Sequence, residues 1–220
     1  LEHDFARCIY LQEAHGFHFD VASAKKLYAS LANRRLELEK SLTSAFPKWQ
    51  KYIGTFIPKR DNRTLGYKKG VPVKRYKELT FNPNSRDHIS DRLMDKGWKP
   101  KEFTPDGKPK VDESILSTLD FPEAKLLSEH FLIQKRIGQL AEGNNAWLKL
   151  QKDGIIYGSV ITNGANTGRC THQKPNVAQT PSVGVPYGKE CRSLFIVPNS
   201  FRLIGCDASG LELRCLAHYL

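Results

Sequence analysis

The chain has 220 residues, a hydrophobic fraction of 40% and a net charge of +11, from 34 Lys and Arg against 23 Asp and Glu. That is long and apolar enough to fill a core, as one large domain or two small ones, and excludes a disordered chain. No run approaches the roughly twenty apolar residues of a membrane helix, and LEHDFARCIY lacks the basic start and apolar run of a signal peptide, so a cytoplasmic protein with a polyanionic partner is expected.

Residues 1–15 place Phe5, Ile9 and Tyr10 at helical spacing, and Gly16 is the expected C-cap. A second helix is predicted after Asp20, whose carboxylate can accept from the free amides of the first turn. Its apolar stripe runs Leu27, Leu31, Leu38, Leu42 and Phe46, with NRR and ELEK on the opposite face. Cys8, Cys170, Cys191, Cys206 and Cys215 form no C-x-x-C pair, so they read as reduced thiols and not as a disulfide framework or zinc site.

Between 47 and 80 the composition shifts. Ten Lys and Arg against two acids put +8 of the chain's +11 in this segment, interleaved with Trp49, Tyr52, Phe56, Tyr67 and Tyr76. Gly54, Pro58, Gly66, Gly70 and Pro72 break any long helix, predicting short strands and turns on a flexible, loop-like excursion. Two roles are open to it: a solvated basic loop, or a strap along a phosphate backbone.

FNPNSRDHISDRLMDKGW follows, and a helix is expected from about Arg86 until Gly97 ends it. Ser85 serves as a cap; together with Asn84, Arg86 and the free amides of the first turn it equally forms an anion site. TPDGKP at 104–109 is a turn, and one long helix is predicted over 121–150, with Leu126, Leu127, Phe131, Ile137, Leu140 and Ala141 inside and Lys135 and Arg136 along it. His88, His130 and His218 fall on helical stretches, where core or surface roles are the default. After about 153 the texture becomes hairpins and loops. An amphipathic strand FRLIGCDAS would bury Leu203 and Ile204 and present Asp207 where it turns into the helix LELRCLAHYL. A carboxylate there suits a hard cation such as Mg²⁺, and it suits a cap or turn residue as well; Glu212 lies a turn further on.

DASGLELRCLAH at 207–218 resembles motif A of the DNA polymerase I family (family A), which has the form D-x-S-x-x-E-x-R. TGRCTHQKPNVAQTP at 167–181 resembles that family's T-G-R…P-N…P segment, FNPNSRDHI its thumb N-x-S-R-D segment, and IQKRIGQLAEGNNAWL the long thumb helix of its short-tailed-bacteriophage branch. The resemblance runs, with gaps, from about Gly16 to Leu220. It implies an α+β fold: a helical thumb followed by the first strands of an antiparallel-sheet palm, in an incomplete right hand. Residues 1–20 would lead from the family's exonuclease domain, which would precede Leu1; 21–152 would form the thumb, with the excursion at 47–80, and 153–220 the start of the palm.

The resemblance also implies template-directed DNA synthesis by two-metal phosphoryl transfer, with Asp207 binding both Mg²⁺ ions and the Ala208 carbonyl completing one shell. Glu212 matches the residue that packs under the sugar and disfavours a ribose 2′-hydroxyl. Arg169 and Gln179 match positions reaching the minor groove at the primer terminus, whose degenerate acceptors allow pair geometry to be tested without reading sequence. Thr171, His172 and Asn176 lie in the same segment, as scaffolding or as DNA contacts. Asn84, Ser85 and Arg86 match backbone-contacting positions and Lys135 a phosphate-contacting lysine, while Arg214 and His218 would brace the helix of motif A against its strand. Primer–template DNA and deoxynucleoside triphosphates are the implied partners.

The 220 residues contain neither the family's fingers helix nor the motif with its second metal-binding aspartate. A fragment that is inactive by itself is therefore expected, with a polypeptide carrying those parts as a further partner. Some phage relatives recruit thioredoxin through a longer basic thumb insertion; the shortness of 47–80 makes thioredoxin binding doubtful and direct contact with DNA the expectation. Two other readings compete: a non-catalytic clamp on duplex DNA, and an RNA polymerase of the same wider superfamily, against which Glu212 and the thumb motifs count.

Overall fold

The computed structural model describes residues 2–220. In chain order its elements are α1 (Glu2–His15), β1 (Phe17–Phe19), α2 (Val21–Ala45), β2 (Trp49–Phe56), β3 (Val73–Leu79), α3 (Arg86–Asp95), α4 (Glu113–Ser117), α5 (Pro122–Ile137), α6 (Trp147–Leu150), β4 (Ile155–Ile156), β5 (Ser159–Ile161), β6 (Thr171–Gln173), α7 (Gly188–Ser193), β7 (Phe195–Ile196) and α8 (Leu211–Tyr219). Helices mix with small antiparallel sheets, an α+β chain as expected. The chain divides into two compact units, one made of residues 1–28 and 138–220, the other of 29–137.

Unit 29–137 is built on the predicted stripe. Leu31, Leu38, Leu42 and Phe46 of α2 are buried, and Leu42 and Phe46 join Phe81, Ile89, Leu93, Leu116 and Leu127 in one core. The predicted ends of α3 are where the chemistry puts them. Ser85 accepts from the His88 amide, and Gly97, at φ 97°, reverses the chain after Lys96. His130 is buried in α5, where burial holds its pKa below the ordinary imidazole value.

Asp112 caps α4, accepting from the Ile115 amide at 2.9 Å and the Ser114 hydroxyl at 2.6 Å. Those bonds favour the charged form, the Ser114 hydroxyl most, and lower its pKa to about 2. A depressed carboxylate contributes stability that is fully present above its unfolded pKa of about 3.9 and is lost as pH falls toward the folded value. Asp112→Ala is therefore expected to melt below wild type at pH 6 and together with it near pH 2. Thermal scans across that window check this, and an offset independent of pH would refute it.

The segment 47–80 has the strands and turns expected of it, but they pair as one regular hairpin and not as a loose loop. β2 and β3 form a regular antiparallel hairpin, with Trp49 opposite Leu79 and Tyr52 opposite Tyr76, and a register shift between Tyr52 and Gly54 that leaves Ile53 unpaired as a bulge. Side chains alternate across a strand, and here the alternation resolves into two unlike faces. One carries Trp49, whose ring packs edge-on against His88 at 5.0 Å and under the Arg92 guanidinium at 4.3 Å; the other carries Tyr52 and Tyr76, both exposed. The predicted glycine and proline breaks fall mainly in the linker 57–72, which closes on itself through the bridge between Asn62 and Tyr67.

The long helix predicted over 121–150 is also interrupted. It runs as α5 to Ile137, continues as one π-turn over Gly138–Glu142, and resumes only at α6. Gly143 donates to the Gly138 carbonyl at 2.9 Å, and a Cβ on Gly143 would lie 2.5 Å from that oxygen. Only glycine permits that approach, and it ends the helix.

In unit 1–28 with 138–220, α1 ends at Gly16 as predicted, with φ +66° and a virtual Cβ 2.6 Å from Ile155. Asp20 accepts from the Ser23 amide at 2.9 Å at the start of α2. Between these signals lies β1, the centre of a three-stranded sheet in the order β4-β1-β7. Trp147, 1% exposed, packs edge-on against Phe19 and Phe195 over this sheet.

The predicted strand FRLIGCDAS is absent. Residues 201–208 form no strand and are exposed, with Leu203 72% and Ile204 87% exposed. A strand needs a hydrogen-bonding neighbour, and among the described residues nothing pairs with this one. The helix after it is present as α8, entered through Gly210 in the left-handed region. Arg214 and His218, expected to brace that helix against the strand, are exposed, and His218 packs on the ring of Tyr219.

Candidate active-site segments and nucleic-acid interface

In unit 1–28 with 138–220, the segment 159–179 is folded around the hairpin of β5 and β6. Val160 pairs with His172 and Ile161 with Thr171. The hairpin is tied to α1 by the Val160 amide, which donates to the Glu13 carboxylate at 2.5 Å. Its loop closes through the Ala165 amide on the Arg169 carbonyl at 3.0 Å, with Gly168 at φ +75°. That closure projects the Arg169 side chain outward.

Gly164 packs directly on the strand. A Cβ there would lie 2.0 Å from the Thr171 Oγ1 and about 3 Å from its Cβ and Cγ2. Gly164→Ala must displace either the loop or β6, at a cost of about 1–3 kcal/mol. We expect it to speed hydrogen exchange at Thr171, with Thr171→Ala recovering part of the lost protection by opening the space. Unchanged exchange at Thr171 would refute the coupling.

The PNVAQ stretch makes a 3₁₀ turn, Val177–Gln179, capped by Asn176, whose side chain accepts from the Gln179 amide at 3.2 Å. Asn176 is thus a structural cap with a half-buried side chain, whereas Gln179 is exposed. The Gln179 carbonyl accepts from Gln139 at 3.0 Å, pinning this turn to the π-turn. Gln139 was missed in sequence; the only pointer to it is its place in IQKRIGQLAEG. His172 and Val177 line an open cavity of about 400 Å³ with Phe17, Ala178 and Phe195. The His172 Nδ1 is buried with no hydrogen-bond partner among the described residues.

Arg169 and Glu212, 43 residues apart, form an ion pair. Both are mostly exposed, at 73% and 82%, so the pair adds little to stability and either group can leave the other at small cost. It joins the T-G-R segment to α8. Asp207, five residues before Glu212, is exposed and makes no ion pair among the described residues. Its carboxylate and the neighbouring Ala208 carbonyl are hard oxygen donors of the kind Mg²⁺ takes. Among the described residues no group of three His, Cys, Asp or Glu comes together, so these two positions could supply at most part of a metal's shell.

In unit 29–137 the candidate positions are differently engaged. Asn84 donates its amide to the Asn82 side chain, and the Ser85 hydroxyl is occupied as the cap. Arg86 is exposed yet engaged within the unit: it donates to the Val111 carbonyl at 2.6 Å and lies over the Phe131 ring at 3.9 Å, where partial desolvation lowers its pKa. Lys135 is exposed on α5. Of the two cations among them, both exposed, Arg86 is held by these partners and Lys135 makes no hydrogen bond or ion pair among the described residues.

The profile of DNA polymerase family A matches residues 70–220. The chain belongs to DNA polymerase family A. It is 40% and 39% identical to the DNA-directed DNA polymerases of Enterobacteria phage T3 and Escherichia phage T7, over 273 residues that take in 100% of this chain and 39% of each relative. The family A chain thus spans about two-fifths of the length of these relatives. DNA polymerase I of Helicobacter pylori is 34% identical over 144 residues, 64% of this chain and 15% of that one. Among solved structures, the POL domain of Pol1 from M. smegmatis, in complex with DNA primer-template and dNTP, aligns with a TM-score of 0.63 over 89% of this chain and 29% of that one. At 16% identity that likeness carries the fold alone.

Proposed function

We propose that these residues form the thumb and the first part of the palm of a DNA polymerase, and that they take part in template-directed DNA synthesis. The observation that carries this reading is the ion pair of Arg169 with Glu212, which joins the two segments that a family A enzyme needs beside the primer terminus. Unit 29–137 lies within the proposed thumb, and its exposed Lys135 and basic hairpin would hold duplex by its phosphates, giving affinity that depends on salt and not on sequence.

In the palm part, Arg169 and Gln179 would donate to minor-groove acceptors at the newest pair, in place of the contact Arg169 makes with Glu212. Thr171, His172 and Asn176 position them, through the hairpin and the capped turn. Glu212, freed by the same exchange, would pack under the deoxyribose and exclude a 2′-hydroxyl. Asp207 and the Ala208 carbonyl would hold Mg²⁺, which supplies charge neutralisation of the triphosphate and of the leaving pyrophosphate. The 220 residues do not extend a primer by themselves under this proposal, since the fingers and the second metal-binding aspartate are not among them.

The test is primer extension with Mg²⁺ by the complete product of the gene, beside DNA binding by the 220-residue chain. Extension by the former and binding without extension by the latter are the expected results. A second reading, a non-catalytic clamp on duplex, is favoured by the lack of any three-carboxylate cluster among the described residues. Binding without extension by the complete product would select it.

A further inference from the structure

The hairpin of β2 and β3 has one face that the phosphate-strap role leaves unexplained. Its inward face carries Trp49, Lys51, Phe56 and Arg75. Each has a partner: Trp49 against His88 and Arg92, Lys51 to Asp91 at 2.6 Å, and Arg75 over the Phe56 ring at 5.8 Å. The outward face carries Tyr52 and Tyr76 directly opposite one another, their rings 5.8 Å apart at 62°. They are 51% and 54% exposed, so two phenol rings stand open to solvent on the most basic stretch of the chain. The Tyr52 hydroxyl is tied to Thr55 at 2.6 Å, which holds its ring in place.

Charge on this outward face also points one way. Lys74, opposite Thr55, is exposed and bonded to nothing else among the described residues. Glu78, the face's acid, is answered by Lys48 at 3.5 Å. A duplex needs the cations but has no use for exposed rings, because its base faces are covered by their stacked neighbours. An unpaired strand presents both phosphates and open base faces, and aromatic platforms beside cations are how proteins hold it.

We propose that the Tyr52–Tyr76 face binds unpaired DNA, stacking bases on the two rings while Lys74 meets a phosphate. The proposal rests on the DNA-binding part of the reading above and adds that this outward face takes single-stranded DNA, beside the duplex that the cations of the unit would hold. A single-stranded template is the strand that a polymerase always has at hand.

The test measures binding of the 220-residue chain to oligo(dT) and to a blunt duplex by fluorescence anisotropy. Tyr52→Val/Tyr76→Val keeps a β-favouring pair in the hairpin and removes the rings. It is expected to weaken oligo(dT) binding at least fivefold, the lower limit for losing one stacked base, and to leave duplex binding within twofold. Tyr52→Phe/Tyr76→Phe retains the rings and should bind oligo(dT) as wild type does. Photo-crosslinking with a bromouracil-substituted strand should map to Tyr52 or Tyr76. Equal losses on both DNAs, or oligo(dT) binding unchanged in the valine variant, overturn the proposal; the latter would leave the face to a protein partner. Wild-type chain that binds neither DNA would instead overturn the functional reading itself.

Discussion

Asp207→Asn in the complete gene product is expected to lower primer extension by roughly 10³-fold or more, the several kcal/mol that a correctly held metal contributes to the transition state. The substitution keeps the shape of the side chain and removes its charge, which is what a hard cation selects. Asp207 is exposed and makes no ion pair among the described residues, so thermal stability should change little. Affinity for primer–template should stay within about threefold, because none of the groups proposed to hold DNA is a carboxylate. The signature is therefore a fall in rate at nearly constant binding and stability. Extension within tenfold of wild type would remove Asp207 from the metal site and with it the central step of the proposed mechanism. A parallel loss of binding would mean that the 201–210 segment had been rearranged and that the residue acts through structure.

Much of the fold was legible because its signals are local. Gly16, Asp20, Ser85 and Gly97 each act on atoms within a few residues, as caps or as the left-handed residue ending a helix, so sequence neighbours suffice to find them. The stripe from Leu31 to Phe46 is likewise a property of one helix. What could not be read depends on partners remote in sequence. The pairing of β2 with β3 spans a linker of sixteen residues (57–72); the glycines and prolines predicted short strands and turns, but not that the strands would pair across this connection. Alternation in FRLIGCDAS says which side chains would share a face, yet it carries no information on whether a neighbouring strand exists; Leu203 and Ile204 show that it does not among the described residues. At the candidate site the order of the two motifs was legible as a pattern, whereas the pairing of Arg169 with Glu212 had no local sign at all. The engagement of Arg86 is similar: a helix N-terminus predicts an anion site, but the Val111 carbonyl and the Phe131 ring, 25 and 45 residues further on, take the guanidinium instead.

Trp147→Ala should have the largest effect on stability, about 3–5 kcal/mol. The sheet β4-β1-β7 has strands of two or three residues, too short to persist by backbone hydrogen bonds alone. Its cohesion comes from Trp147, with ring centroids 6.2 Å from Phe19 and 5.2 Å from Phe195, themselves 5.6 Å apart. Deleting the indole leaves a cavity between two rings held by backbone on opposite strands, so collapse can recover only part of the lost contact. Exchange should quicken first at the amides that close this unit, Phe19 on the Gly154 carbonyl and Asp20 on the Leu194 carbonyl. The amides of the β2–β3 hairpin should stay protected. Phe17 and Phe195 also wall the cavity beside His172 and Val177. The same substitution should therefore loosen the segment bearing Arg169 and Gln179 and weaken primer–template binding, although Trp147 is proposed to touch no DNA. Trp147→Phe, which restores an aromatic edge in that space, should recover most of both losses. A loss below about 1 kcal/mol in Trp147→Ala would show that the sheet is held by other means, and the link from aromatic cluster to interface would fail with it.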